Sequence, residues 1–83
     1  MNIVEEIKNL ILSFISGNYD PADFSVDLPH MIVDNYEDID VIDPKLAERL
    51  DDTFPDICSE YERGDDPASM REKVRKEYEQ IFR

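Results

Sequence analysis

The sequence predicts an all-α protein, an antiparallel bundle of four short helices folded as one domain over residues 1–83. Three observations carry that expectation. Asp-Pro pairs recur at Asp20-Pro21, Asp43-Pro44 and Asp66-Pro67, at an interval of 23 residues. Asp is a strong N-cap, and Pro suits the first helical position because its missing N–H would be unpaired there anyway. Apolar residues recur three and four positions apart along most of the chain, which is the spacing of one buried helix face. Alternation of apolar and polar residues is confined to Asp38-Ile39-Asp40-Val41-Ile42-Asp43, too short to build a sheet alone.

The first helix is expected from Ile3 to Ser16, capped by Asn2, with Glu5 and Glu6 in its first turn and Gly17 past its end. Ile7, Ile11 and Phe14 mark its inner face. The second, from Pro21 to Tyr36, points Phe24 and Leu28 inward, and Pro29 in its middle predicts a kink or a break. A loop rich in acids follows. The third starts at Pro44 and buries Leu50 and Phe54, with Pro55 as a second expected distortion. The fourth starts after Asp66 or at Ser69, where Ser69 and Glu72 have capping-box spacing, and turns Val74, Tyr78 and Ile81 inward.

The chain carries 21 acids against nine bases, a formal charge of −12. Nucleic acid and anionic membranes are bound through clusters of Lys and Arg, so neither is an expected direct partner. A basic protein is the natural complement. The apolar fraction of 41%, with four Tyr and four Phe, is too high for a disordered acidic tail. Cys58 is the only cysteine, which excludes an internal disulfide and a thiolate metal cluster and fits a reducing compartment. The first residues lack a basic flank, and Ser13 cuts the apolar run Leu10-Ile11-Leu12. Neither a signal peptide nor a membrane span is expected, and the expected location is the cytoplasm.

The charge is concentrated in the middle: residues 20–66 hold 16 acids and three bases, whereas residues 67–83 are net +2. Two features account for it. Asp34, Glu37, Asp38, Asp40 and Asp43 place five carboxylates in ten residues. Glu48, Asp52, Asp56 and Glu60 then follow at steps of four, the spacing of one helix row, and Glu62, Asp65 and Asp66 extend the run. Like charges four apart are unfavourable by roughly 0.2–0.5 kcal/mol each, and an ordinary solvated face mixes both signs. The candidate partner-binding residues are therefore Asp34, Tyr36, Glu37, Asp38, Asp40, Glu48, Asp52, Asp56, Glu60, Glu62, Asp65 and Asp66.

Other chemistries find little support. His30 is the only histidine, so no His-based metal site or triad can form. Cys58 lies on the inner side of the third helix without a basic activator and reads as an inert buried thiol. Counted from Asp34 as a calcium loop, Ile39 stands where Gly is needed and Lys45 where the bidentate Glu belongs. No cofactor is expected, and catalysis by the chain alone is not expected, because carboxylates in an exposed row lack a pocket to raise a pKa toward neutrality.

Three stretches together resemble a known family: Leu10-Ile11-Leu12-Ser13-Phe14-Ile15-Ser16-Gly17 leading into Ala22-Asp23-Phe24, then Leu50-Asp51-Asp52-Thr53-Phe54, then Met70-Arg71-Glu72-Lys73-Val74-Arg75. With them the sequence resembles the colicin D type immunity proteins, a family that includes immunity proteins of contact-dependent inhibition systems. The resemblance implies a small cytoplasmic inhibitor, a monomer that forms a heterodimer with the nuclease domain of its cognate toxin, commonly one that cleaves transfer RNA. An RNA-cleaving site is lined with Lys and Arg, so a row of carboxylates can take the substrate's place. The competing expectation is an acidic carrier or a regulatory protein with another basic partner. An acyl carrier would need Asp-Ser-Leu at the head of the second helix, and Phe24-Ser25-Val26-Asp27-Leu28 offers Ser25 without the preceding Asp.

Overall fold

Four helix starts follow from four side-chain caps. In the computed structural model, which describes residues 2–61 and 66–82, the Asn2 side chain accepts the Glu5 N–H at 2.9 Å and Asp20 accepts that of Asp23 at 3.1 Å. Asp43 accepts from Leu46 at 3.2 Å and Asp66 from Ala68 at 3.0 Å. Each bond satisfies one of the N–H groups that a helix start leaves without an intrahelical partner. The helices are α1 (Ile3–Ile15), α2 (Pro21–Asp34), α3 (Tyr36–Ile42), α4 (Pro44–Glu60) and α5 (Pro67–Phe82). The fold is all-α, with no strand among the described residues.

α1 ends where glycine is required. Gly17 adopts φ 83, its N–H bonds the Phe14 carbonyl at 3.0 Å, and the Asn18 N–H bonds the Ser13 carbonyl at 2.9 Å. This pair of bonds is the Schellman termination, and only Gly adopts the left-handed backbone there without a Cβ penalty.

The fifth helix corrects the expected loop. α2 stops at Asp34 rather than Tyr36, and the acidic connection coils into α3. Asn35 makes the break: its side-chain amide and its backbone N–H both donate to the Met31 carbonyl, at 2.9 and 3.2 Å. A local side-chain bond of this kind competes with continuation of the helix. The Asn35 carbonyl then accepts the Ile39 N–H at 3.0 Å and opens α3. The short alternation seen in the sequence is thus a helical turn with Ile39 fully buried.

Of the kink or break expected at Pro29, the break does not occur, and α4 likewise continues through Pro55. A proline removes one backbone bond and costs about 3 kcal/mol in a helix interior. Fully buried aliphatic and aromatic side chains contribute about 1.5–3 kcal/mol each. Phe24, Leu28 and Ile32 flank Pro29, and Leu50, Phe54 and Cys58 flank Pro55, all buried, so packing on both sides offsets the loss.

All five helices contribute to one core, which includes Ile7, Ile11, Phe14, Phe24, Leu28, Ile32, Ile39, Ala47, Leu50, Phe54 and Val74. Tyr78 and Ile81, expected inside, are only half-buried and pack against its edge. No polar or charged side chain is buried among the described residues, so every described charge meets solvent. α4 is the hub, packed against α2, α3 and α5, while α1 packs on α2 and α5. Burial pushes the Cys58 thiol up to about 12, which keeps it protonated and unreactive at neutral pH.

The far end is closed by aromatic packing. Phe14 stacks on Phe24 with centroids 4.0 Å apart, and Tyr19 meets Phe24 edge-on at 6.3 Å. Arg71 of α5 bonds the Phe14 carbonyl through Nε at 3.1 Å and lies 5.5 Å from that ring's centroid. The Tyr19 hydroxyl donates to the Asp27 carboxylate. That bond, partial burial, and the charges of Asp27 and Asp23 push the phenol from 10.0 up to about 12.

The folded state therefore holds this proton more tightly than the unfolded chain. The stabilisation is complete below pH 10.0 and is lost as pH rises through about 12. Tyr19→Phe is expected to be less stable than wild type at neutral pH, by no more than about 1 kcal/mol for so exposed a bond, and to converge with it at the alkaline end. Urea unfolding across that range checks this, and a constant difference would contradict it.

Candidate functional site

The candidate site is the acidic surface where α3 lies against α4. It is positioned by two elements of local chemistry. Ile39 is the buried foot of α3, and Asp43 both ends α3 and caps α4, its N–H bonding the Ile39 carbonyl at 2.8 Å. With Ile39 inward, helical spacing turns Tyr36 and Asp40 to one side and Glu37 and Val41 outward.

Tyr36 reports which carboxylates converge. Its half-buried phenol is held above its ordinary value first by loss of water around it and then by Asp40 of its own helix and by Asp51, Glu48 and Asp52 of α4. The phenolate would add a negative charge to four already present, so the proton stays on. Among the expected residues, the charges of Asp40, Glu48 and Asp52 thus act on Tyr36 where α3 packs on α4. Asp51 joins them although sequence reasoning passed over it. Its signal was its position three residues after Glu48, which is also a helical neighbour.

The expected row on α4 does not keep to one face. Four residues advance an α-helix by roughly 400°, about 40° beyond a full turn, so three steps rotate the row by roughly 120°. The Glu48 end accordingly faces α3, while Glu60 faces α5 and pairs with Lys73 at 3.4 Å. Asp56 is exposed between them. Asp34 is exposed at the end of α2, and Glu37 and Asp38 are exposed in the first turn of α3. Asp66 serves as the cap of α5 and lines an open cleft of about 270 Å³ with Glu60, Ser69, Met70 and Lys73. Glu62 and Asp65 lie outside the described residues.

Few ion pairs neutralise this surface. Among the described residues the ion pairs are Lys73–Glu60 and Arg75–Glu72, both made by α5. Lys45 and Arg49 of α4 stand three residues before Glu48 and Asp52 and line a shallow pocket with Asp43, Leu46, Ile81 and Phe82, without closing an ion pair among the described residues. Asp34, Glu37, Asp38, Asp40, Glu48, Asp51, Asp52 and Asp56 therefore have no ion-pair partner among the described residues.

Two exposed aliphatic side chains accompany the acids: Val41 is 85% exposed and Ile42 51%. No group of His, Cys, Asp and Glu side chains is arranged to hold a metal ion among the described residues. Ser25, the residue a carrier would use, is half-buried within α2, with its hydroxyl donated to the Ala22 carbonyl at 2.7 Å. His30 is exposed. No described helix is long and apolar enough to cross a membrane. No family model, curated protein or solved structure matches the chain.

Proposed function

We propose that this protein is an immunity-type inhibitor that acts in the cytoplasm, where its α3–α4 acidic surface covers the basic active site of a cognate nuclease toxin, one that cleaves transfer RNA. The scaffold in this reading is an antiparallel arrangement of the four longer helices, with α3 added to carry part of the binding surface. The observation that carries it is the imbalance of charge: ten carboxylates on α2, α3 and α4 have no ion-pair partner among the described residues, and the bases on those three helices are Lys45 and Arg49 alone.

Such a surface works against the protein's own stability. Asp34 is the last residue of α2, and that helix has no base in its last turn. A carboxylate at that end is unfavourable by about 0.3–1 kcal/mol, because the helix dipole is negative there. Charge placed against local stability is accounted for by a partner that neutralises it. The resemblance to colicin D type immunity proteins names that partner's class: a basic nuclease domain, bound one to one.

The test is binding to the carboxy-terminal domain encoded by the gene immediately upstream, which this reading expects to be a basic nuclease domain. Wild type is expected to form a stable heterodimer with it and to protect cells that express it. Asp51→Lys with Asp52→Lys is expected to slow association at low ionic strength by about 10-fold or more, the range over which electrostatic steering acts. Lys73→Glu with Arg75→Glu on α5 is the control and leaves association unchanged. An unchanged rate in the first variant, or a failure confined to the control, places the interface elsewhere.

A further inference from the structure

The outer face of α3 combines features that an ordinary solvated turn does not. Val41 and Ile42 are adjacent and exposed by 85% and 51%, while the same short helix holds Glu37 and Asp38 one turn earlier, with Asp40 and Asp43 on either side of the pair. Glu37 is the helical neighbour of Val41 and Asp38 that of Ile42, each four residues away. The pair is also held in place: Ile39 buries the helix beneath it, and the Asp43 N–H bonds the Ile39 carbonyl at 2.8 Å directly after it. Two exposed aliphatic groups with four carboxylates within a turn of them in sequence supply the apolar and polar parts that a protein interface combines.

Charge decides the occupant. A second copy of this chain would bring a net charge of −12 against the same sign, and an anionic membrane would meet the same repulsion. The complementary surface is a basic protein with an aliphatic pocket framed by Lys and Arg. Resting on the proposed inhibitor reading, we infer that Val41 and Ile42 are the anchor of the interface: they enter an apolar pocket of the nuclease domain and set its dissociation rate, while the surrounding carboxylates set the association rate.

The two roles separate kinetically, because rim charges act mainly on encounter and buried anchors on release. Val41→Ala with Ile42→Ala removes the aliphatic bulk from solvent-facing positions and keeps good helix formers. The variant's circular dichroism and melting point are expected to equal those of wild type. Association and dissociation are then followed at physiological ionic strength with, as the probe, the basic carboxy-terminal domain that the inhibitor reading expects the upstream gene to encode.

The expected result is a dissociation rate raised about 10-fold or more with an association rate within about twofold of wild type. An unchanged dissociation rate in a complex that wild type forms normally overturns the anchor and leaves the inhibitor reading standing. Failure of wild type itself to bind the domain overturns both. Sedimentation of the chain alone is the remaining arm: a dimer dissolved by the double substitution would show that the pair is covered by a second copy and would overturn the assigned occupant.

Discussion

Phe54→Ala is expected to lower the unfolding free energy by about 3–5 kcal/mol, a large share of the stability of a small domain. Phe54 has no exposed surface and belongs to α4, the helix packed against α2, α3 and α5. Removing its ring leaves a cavity in the shared core, and the prolines at 29 and 55 have already taken a backbone bond from each of α2 and α4. Urea unfolding measures the loss. A change under about 1 kcal/mol would mean that the site collapses without a cavity, which close packing of this core does not allow.

The second large effect is expected at Ile39, where replacement by Ala should cost about 2–5 kcal/mol. Seven residues are too few for a helix to persist by propensity alone, and Ile39 is the only buried residue of α3. The substitution is therefore expected to release α3 before the rest of the protein unfolds. Amide hydrogen exchange would show residues 36–42 losing protection while α1 keeps it. Release of α3 should also weaken binding to a basic partner, because Glu37, Asp38 and Asp40 lose their fixed placement beside α4. Uniform loss of protection across all five helices would show instead that α3 unfolds only with the whole.

Much of the candidate site was legible in the sequence because its charge is local. The concentration of acids between residues 20 and 66 needs only counting, and the acids of the α3–α4 surface fall within it. What escaped was the rotation of each helix relative to its neighbours. Asp51 was overlooked because steps of four drew the eye to Glu48 and Asp52, although three residues also make a helical step. Glu60 was grouped with its row although the row winds toward α5, where Lys73 takes it. Alternation at residues 38–43 suggested extended chain; burial of Ile39 and the side-chain bond of Asn35 make it helical.

The sequence by itself determined the all-α class, the three caps at Asn2, Asp20 and Asp43, the glycine termination of α1 and the inward phase of Ile7, Ile11, Phe14, Phe24, Leu28, Leu50, Phe54 and Val74, while the last helix start, open between Asp66 and Ser69, is settled at Asp66 by its cap bond. Each of these depends on residues within one or two turns of each other, where cap chemistry and the 3.6-residue period act. Only the tertiary structure decided that α2 and α4 run through their prolines and that the charges of Asp40, Glu48, Asp51 and Asp52 act on Tyr36. It alone left Val41 and Ile42 in solvent. Those outcomes depend on how helices far apart in sequence are rotated and packed against one another, and packing energy, unlike a cap, is shared among residues that no local pattern connects.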